Sequence, residues 1–118
     1  MQTVLAVDDS ETMRQMVKMT LQTGSYNVIL ASDGEEALNT FMSTTGVDLV
    51  VTDINMPKLD GLGLIKAIRE RNQDVPILAL TTESEDTMRK KGAEAGANGW
   101  MTKPFKPAQF IEVVRRII

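Results

Sequence analysis

Three carboxylates stand directly after two short apolar runs of the sequence. Asp8 and Asp9 follow the run 4–7, and Asp53 follows the run 49–52. Short runs rich in valine and leucine are typical of strands that are buried on both faces of a sheet. If the two strands lie parallel in one sheet, their carboxyl ends bring the three acids into a single shallow cluster. Such a cluster suits a hard divalent cation with oxygen ligands, and one carboxylate is left over as a nucleophile.

Two further polar side chains stand at the ends of later strand-like runs. Thr81 ends one run, and Lys103 follows another. Carboxylates, a hydroxyl and an ammonium at four strand ends indicate a phosphoryl-acceptor site. Asp53 is the best candidate nucleophile, because a cation between the acids and the phosphoryl oxygens would screen their mutual repulsion. The backbone carbonyl of Asn55 is a candidate for a further cation ligand.

Each of these residues also has an ordinary structural interpretation. Segment 8–10 fits a helix N-cap, and Asp53 fits a turn former at a strand end. Thr81 fits a β-branched strand residue, and Lys103 fits a solvated lysine. The bond between Lys103 and Pro104 can be cis at modest cost, which would fix how the lysine enters the cluster. The coincidence of four strand ends favours the chemical interpretation.

The composition bounds what the chain can do. Its 118 residues suit one domain with a real core, and 42% hydrophobic and 25% charged residues are near the globular average. A net charge of −3 argues against nucleic acid as the main partner. The lack of cysteine and histidine excludes disulfides, histidine-assisted nucleophiles and the usual zinc ligands. We expect a single domain over 1–118 with no output domain, no membrane partner and a cytoplasmic location.

Strand-like and helix-like segments alternate along the chain. Strands are predicted at 3–7, 28–30, 49–52, 77–81 and 99–102, and helices at about 12–22, 34–43, 84–95 and 107–118. A further helix, which contains Leu64, Ile65 and Ile68, is predicted after the loop at Pro57 and Asp60-Gly61. Repeated βα units with short connections predict an α/β fold, in which a parallel sheet is covered by helices on both faces. Five strands fit the flavodoxin-like (βα)5 doubly wound sandwich with strand order 2-1-3-4-5. Its ligand crevice lies between strands 1 and 3, where the three acids would meet.

The last predicted helix carries more apolar residues than one buried stripe requires. One face is formed by Phe110, Val113, Val114 and Ile117, and two further residues, Ile111 and Ile118, extend it. An exposed apolar margin of this kind predicts a docking surface.

Four motifs make the sequence resemble the receiver domains of two-component response regulators over its whole length. They are Val7-Asp8-Asp9-Ser10, Asp53-Ile54-Asn55-Met56-Pro57 with Asp60-Gly61, Leu80-Thr81-Thr82-Glu83, and Lys103-Pro104-Phe105. Segment 96–100, together with Asn55 and Glu83, is most similar to the free-standing chemotaxis regulators of that family. The sequence departs from them at Trp100, where a tyrosine is frequent, so contacts that depend on the tyrosine hydroxyl are in question.

The resemblance implies a role for each candidate residue. It implies that Asp53 is phosphorylated, and that Asp8, Asp9, Asp53 and the Asn55 carbonyl bind Mg²⁺, or Mn²⁺ in its place. It also implies that Thr81 and Lys103 bind the phosphoryl group, and that switching involves Thr81 and Trp100. Autodephosphorylation would be tuned by Asn55 and Glu83.

The leading hypothesis is a phosphorylation-activated signalling switch. A separate, CheA-like histidine kinase would supply the phosphoryl group, because the chain itself has no histidine. The phosphorylated protein would bind a partner through the predicted helix 84–95, strand 99–102 and helix 107–118. The flagellar motor switch is the expected partner, with control of chemotaxis as the outcome. We further expect a monomer, a phosphatase as an additional partner, and a phosphoacceptor with Mg²⁺-dependent self-phosphorylation and autodephosphorylation rather than an enzyme.

Two alternatives remain open at this point. A phosphorelay carrier or phosphate sink would accept the same group without a motor contact. An aspartyl-phosphate hydrolase would act on small phosphate esters, but such enzymes usually place a second aspartate two residues after the nucleophile, as general acid. Asn55 occupies that position, and a general acid contributes about 10²–10⁴ in rate. The hydrolase is therefore the weaker alternative.

Overall fold

The computed structural model describes residues 1–82 and 85–118, in which five strands and five helices alternate. The strands are β1 (Thr3–Val7), β2 (Asn27–Ala31), β3 (Leu49–Asp53), β4 (Ile77–Thr81) and β5 (Gly99–Thr102). The helices are α1 (Glu11–Thr23), α2 (Gly34–Ser43), α3 (Gly61–Arg71), α4 (Glu85–Ala95) and α5 (Pro107–Ile117). The predicted strands and helices are confirmed among these residues. Ser84, the predicted start of the fourth helix, lies outside the described residues.

All five strands are parallel and form one sheet in the order β2-β1-β3-β4-β5, which confirms the predicted fold class. Asp53 pairs with Leu80 of the neighbouring strand, and Thr81 pairs with Thr102. Because the strands share one direction, the carboxyl ends of β1, β3, β4 and β5 lie along the same edge of the sheet. This edge carries the candidate site.

The central strands are buried on both faces, which explains their continuous apolar sequences. Alternate side chains of a strand enter one of two cores. Residues such as Val50 pack with α3 on one face, and residues such as Leu49 pack with Phe110 of α5 on the other. Each large side chain buried in this way contributes about 1.5–3 kcal/mol of apolar stabilisation.

The predicted apolar margin of the last helix is only partly exposed. Ile111 and Ile118 are half-buried and pack against the core formed with α1 and α5. Gly24 leaves room for this packing, because a Cβ atom there would lie only 3.1 Å from the Cδ1 atom of Ile111. Within the described part of the chain, no helix is both long enough and apolar enough to cross a membrane.

Candidate phosphoryl-acceptor site

The three predicted carboxylates come together at the ends of β1 and β3. One oxygen from each of Asp8, Asp9 and Asp53 lies within 4.8 Å of the others. Asp8 and Asp53 are buried, at 3% and 7% exposure, whereas Asp9 is exposed. Carboxylates this close repel one another, so the cluster is stable only with cations nearby.

Lys103 supplies one of those cations. Its Nζ atom donates to Oδ2 of Asp8 at 2.9 Å and lies 3.3 Å from Oδ1 of Asp53. The lysine side chain is only 12% exposed, so the interpretation of Lys103 as an ordinary solvated lysine is wrong. Its main-chain N–H donates to the carbonyl of Thr81 at 2.7 Å, and the peptide bond to Pro104 is cis. The ends of β4 and β5 are thus joined beside the carboxylates.

The turn after β1 separates the capping residue from the acid that faces the site. Ser10 is the N-cap of α1, and its Oγ atom accepts a hydrogen bond from Met13 N at 3.3 Å. The N–H of Ser10 in turn donates to Oδ1 of Asp8 at 2.9 Å. The capping interpretation therefore holds for Ser10, while the carboxylate of Asp8 stays outside the helix and faces Lys103.

The environment of Asp53 disfavours its charge. Burial raises the pKa of Asp53 above its usual value of 3.8, and the nearby Asp8 carboxylate raises it further. The Lys103 ammonium and a 2.8 Å hydrogen bond from Ile54 N act in the opposite direction without cancelling the rise. A buried carboxylate with a perturbed pKa and specific charged neighbours is typical of a functional site.

The start of α3 supports the end of β3 directly. A Cβ atom at Gly61 would collide with the carbonyl oxygen of Asp53, so only glycine permits this approach. Gly61 N donates to the carbonyl of Ile54 at 2.8 Å. Asp60 caps the helix by accepting from Gly63 N at 2.7 Å. The Asp60-Gly61 motif thereby fixes the backbone that carries Asp53.

A second contact supports the loop 54–60, and sequence reasoning did not predict it. A Cβ atom at Gly34, the first residue of α2, would collide with the carbonyl oxygen of Leu59. Lys58 Nζ lies 3.7 Å from Oδ2 of Asp33, which joins the same loop to the start of α2. Asn55 is exposed in this loop, two residues after Asp53. The only sequence clue to this contact was the adjacent Asp33 and Gly34, which also fit a helix start alone.

Thr81 and Trp100 lie on the same face of the sheet. Thr81 is fully buried, and Trp100 is half-buried against the core on the α3 side. Ala79, two residues before Thr81, pairs with Trp100. Because side chains on a strand alternate between faces, Thr81 points to the side of Ala79 and Trp100. Glu83, predicted to tune autodephosphorylation, lies outside the described residues.

The donor set fits Mg²⁺. Magnesium prefers oxygen ligands and usually takes one or two carboxylates together with phosphate oxygens. The three acids and Lys103 together carry two more negative charges than positive ones, which a divalent cation would balance. The Asn55 carbonyl, just beyond β3, remains the predicted further ligand.

Comparison with known proteins gives consistent matches over nearly the whole chain. Residues 4–115 match the model of the response regulator receiver domain. The transcriptional regulatory protein PhoP for alkaline phosphatase synthesis, from Bacillus subtilis, is 41% identical over 115 residues, which cover 98% of this chain and 48% of PhoP. The chain thus spans about half the length of this curated relative.

Two solved structures are similar over their full length. Chemotaxis protein CheY4 of Vibrio cholerae is 41% identical, with a TM-score of 0.94 and coverage of 100% of this chain and 99% of CheY4. The response regulator protein TrrA of Thermotoga maritima, solved in complex with Mg²⁺ and BeF, is 34% identical, with a TM-score of 0.91 and full coverage of both chains.

Proposed function

This chain belongs to the family of response regulator receiver domains, and we propose that its phosphoacceptor is Asp53. The observation that carries the proposal is the Lys103 ammonium, which is held between the carboxylates of Asp8 and Asp53. A cation in this position lowers the cost of bringing an anionic phosphoryl group to an anionic nucleophile. Receiver domains are signalling switches of two-component systems, so the phosphorylated state is the active one.

The phosphoryl donor is a phosphohistidine on a separate histidine kinase, since this chain contains no histidine. An oxygen of the Asp53 carboxylate attacks phosphorus in line, and a new O–P bond forms as the P–N bond breaks. The leaving imidazole keeps the bond electrons and takes a proton from solvent. Water later hydrolyses the acyl phosphate, and Asn55, which is exposed two residues after Asp53, would affect the access of that water.

The remaining site residues bind charge around the phosphoryl group. Asp8, Asp9, Asp53 and the Asn55 carbonyl would hold Mg²⁺, or Mn²⁺ in its place, which screens the charge between carboxylate and phosphoryl oxygens. Lys103 already lies 3.3 Å from Oδ1 of Asp53, close enough to pair with an added phosphoryl oxygen. Thr81 ends the adjacent strand and would donate its hydroxyl to another.

The output is binding of a partner protein to the surface of α4, β5 and α5. Similarity to CheY4 supports a chemotaxis role, with the flagellar motor switch as partner and a CheA-like kinase as donor. A second candidate, the receiver part of a transcriptional regulator, is supported by the similarity to PhoP. A relay carrier or phosphate sink would accept the phosphoryl group, and a carrier would pass it on, without a motor contact. Affinity for a purified motor-switch protein, measured with and without phosphorylation, distinguishes the first role from the others.

Phosphorylation of Asp53 is tested by incubating the protein with acetyl phosphate and Mg²⁺, and separately with a phosphorylated kinase. We expect one phosphoryl group on the wild type and none on Asp53→Asn or in the presence of EDTA. Asp74→Asn is the matched control, because it makes the same change in an exposed loop before β4. Phosphate uptake by Asp53→Asn at the wild-type rate would refute the assignment. Turnover of a simple phosphate ester would instead support the hydrolase alternative.

A further inference from the structure

The main-chain carbonyl of Asp8 is bound by a side chain of α1 rather than by the sheet. Asp8 lies one residue beyond the last paired residue of β1. Arg14, one turn into α1, donates from Nη1 to this carbonyl at 2.8 Å. We propose that Arg14 is a positioning residue for the divalent-cation site, and that it acts by fixing Asp8. The inference rests on the proposed function, because it concerns the same Mg²⁺ site.

Every polar group of Asp8 has a partner when this bond is counted. Its N–H donates to the carbonyl of Ala31 at 3.2 Å, and its Oδ1 and Oδ2 atoms accept from Ser10 N and Lys103 Nζ, both at 2.9 Å. The carbonyl bond from Arg14 completes the set. Backbone and carboxylate are thus held together, so the orientation of the carboxylate is set before any cation arrives.

Burial makes the Arg14 bond costly to lose. Asp8 is only 3% exposed, and it lines a narrow crevice together with Arg14, Val17 and Val51. A carbonyl in such surroundings has little access to replacement water. Hydrogen bonds from an ionised donor are also stronger than those between neutral groups. Without Arg14, the turn after β1 would therefore shift to find another donor, and Asp8 would move with it.

Arg14 acts on a bound cation in two ways that have opposite sign. Its positive charge repels Mg²⁺, so its removal by that effect alone would tighten binding a few-fold. Its hydrogen bond fixes a ligand, and loss of a group that orients a metal ligand typically weakens metal binding by about 10–100-fold. We expect the second effect to dominate, because the guanidinium contacts the Asp8 backbone directly and a loss of about 10–100-fold exceeds a gain of a few-fold. The sign of the change therefore identifies the mechanism.

The test is the Mg²⁺ dissociation constant of each variant, measured by Trp100 fluorescence and by calorimetry at fixed ionic strength. Arg14→Met should bind Mg²⁺ about tenfold more weakly than the wild type. Arg14→Lys should stay within about threefold, because a single bond to a carbonyl needs one donor rather than a planar fork. The matched control is Arg116→Met on α5, where the guanidinium pairs with exposed Glu112, and it should bind Mg²⁺ like the wild type.

The possible results separate the two proposals. Arg14→Met that binds Mg²⁺ as tightly as the wild type, or more tightly, would overturn the role of Arg14 while leaving the proposed function intact. If circular dichroism shows that Arg14→Met is unfolded, Arg14→Gln is measured in its place, and we expect the same loss of Mg²⁺ affinity. A wild type that binds no Mg²⁺ would overturn both proposals. A wild type that binds Mg²⁺ but takes up no phosphate would overturn only the proposed function.

Discussion

Asp53 carries a charge that its surroundings only partly offset. Burial and the Asp8 carboxylate raise its pKa above 3.8, against the opposing effect of Lys103. A carboxyl group with a higher pKa in the folded state is easier to ionise in the unfolded chain. Folding stability is therefore greatest where the group is protonated in both states, below 3.8, and is lost as the pH rises through the raised pKa. The charge of the proposed nucleophile is thus a cost to the fold.

We expect Asp53→Asn to raise the free energy of unfolding at neutral pH, because it removes this charge and keeps the shape. The gain should be about 0.5–2 kcal/mol, the usual range for stabilising substitutions. It should shrink as the pH falls toward 3.8, since the wild-type carboxyl then becomes protonated. Urea unfolding in metal-free buffer over a series of pH values measures both effects. Asp74→Asn should show neither, and an unchanged stability of Asp53→Asn would mean that Lys103 fully offsets the charge.

The site residues differ in how far the sequence alone predicts them. Asp53 and Lys103 follow apolar runs, so their place at strand ends could be predicted from the pattern. Arg14 and Gly34 could not be predicted in this way, because an arginine on a helix and a glycine at a helix start both have common structural explanations. Their contacts depend on how α1 and the loop 54–60 return to the strand ends. That return is set by tertiary packing.

At the level of whole elements, one arginine joins α3, α4, β4 and β5 at the edge of the sheet opposite the site. Arg69 donates from Nε to Gly96 O at 2.9 Å, from Nη1 to Val75 O at 2.6 Å, and from Nη2 to Asn98 Oδ1 at 2.8 Å. Asn98 Oδ1 also accepts from Ile77 N at 2.8 Å. Partial burial lowers the pKa of Arg69, although it stays protonated. The end of α4 and the starts of β4 and β5 are thereby held by one side chain.

Replacement of this arginine should loosen those elements without disabling the site. We expect Arg69→Met to lower the free energy of unfolding by at least about 1.5–3 kcal/mol, because a single hydrogen bond from a charged donor contributes that much and Arg69 donates several. Amide hydrogen exchange should quicken at 96–99, while phosphate uptake stays near the wild-type rate. Arg71→Met is the matched control, since exposed Arg71 donates to Ala67 O within its own helix. Unchanged exchange at 96–99 would contradict this role.

The positions of the strands and helices could be predicted better than the exposure of their faces. Strands β1, β3 and β4 are buried on both faces, so they appear in the sequence as unbroken apolar runs. How far Ile111 on α5 is covered could not be predicted from the helix itself, because it lies close to Gly24, which is distant in the sequence. A helical pattern shows how many apolar residues lie together, but not which neighbours cover them.

At the scale of the whole molecule, the sheet topology follows from the repeated βα units. Five βα units with short connections permit few arrangements, because crossovers between parallel strands are nearly always right-handed. The order 2-1-3-4-5 then brings the ends of β1 and β3 side by side. The distances among the side chains there, such as 3.3 Å between Lys103 and Asp53, depend on the fully packed structure and were beyond sequence reasoning.

The same architecture offers a path from Asp53 to the surface of α4, β5 and α5. Thr81 ends the strand beside Asp53 and shares a sheet face with half-buried Trp100. A phosphoryl group on Asp53 would draw the Thr81 hydroxyl toward the site. The space this frees behind β4 would let Trp100 turn inward and reshape the docking surface. Such a switch is a population shift, in which the phosphoryl group must interact better with one state than with the other.

We therefore expect Thr81→Ala to accept phosphate yet lose most of the coupling to a partner. Coupling between two such sites is typically about 1–3 kcal/mol, or roughly 5–150-fold in partner affinity. Partner affinity and Trp100 fluorescence, each measured with and without beryllofluoride, report it. Thr102→Ala is the matched control, because Thr102 pairs with Thr81 but is exposed on β5, and it should keep the coupling. If the wild type bound its partner equally well with and without beryllofluoride, the switch would be refuted. The protein would then act as a phosphate sink through Asp53.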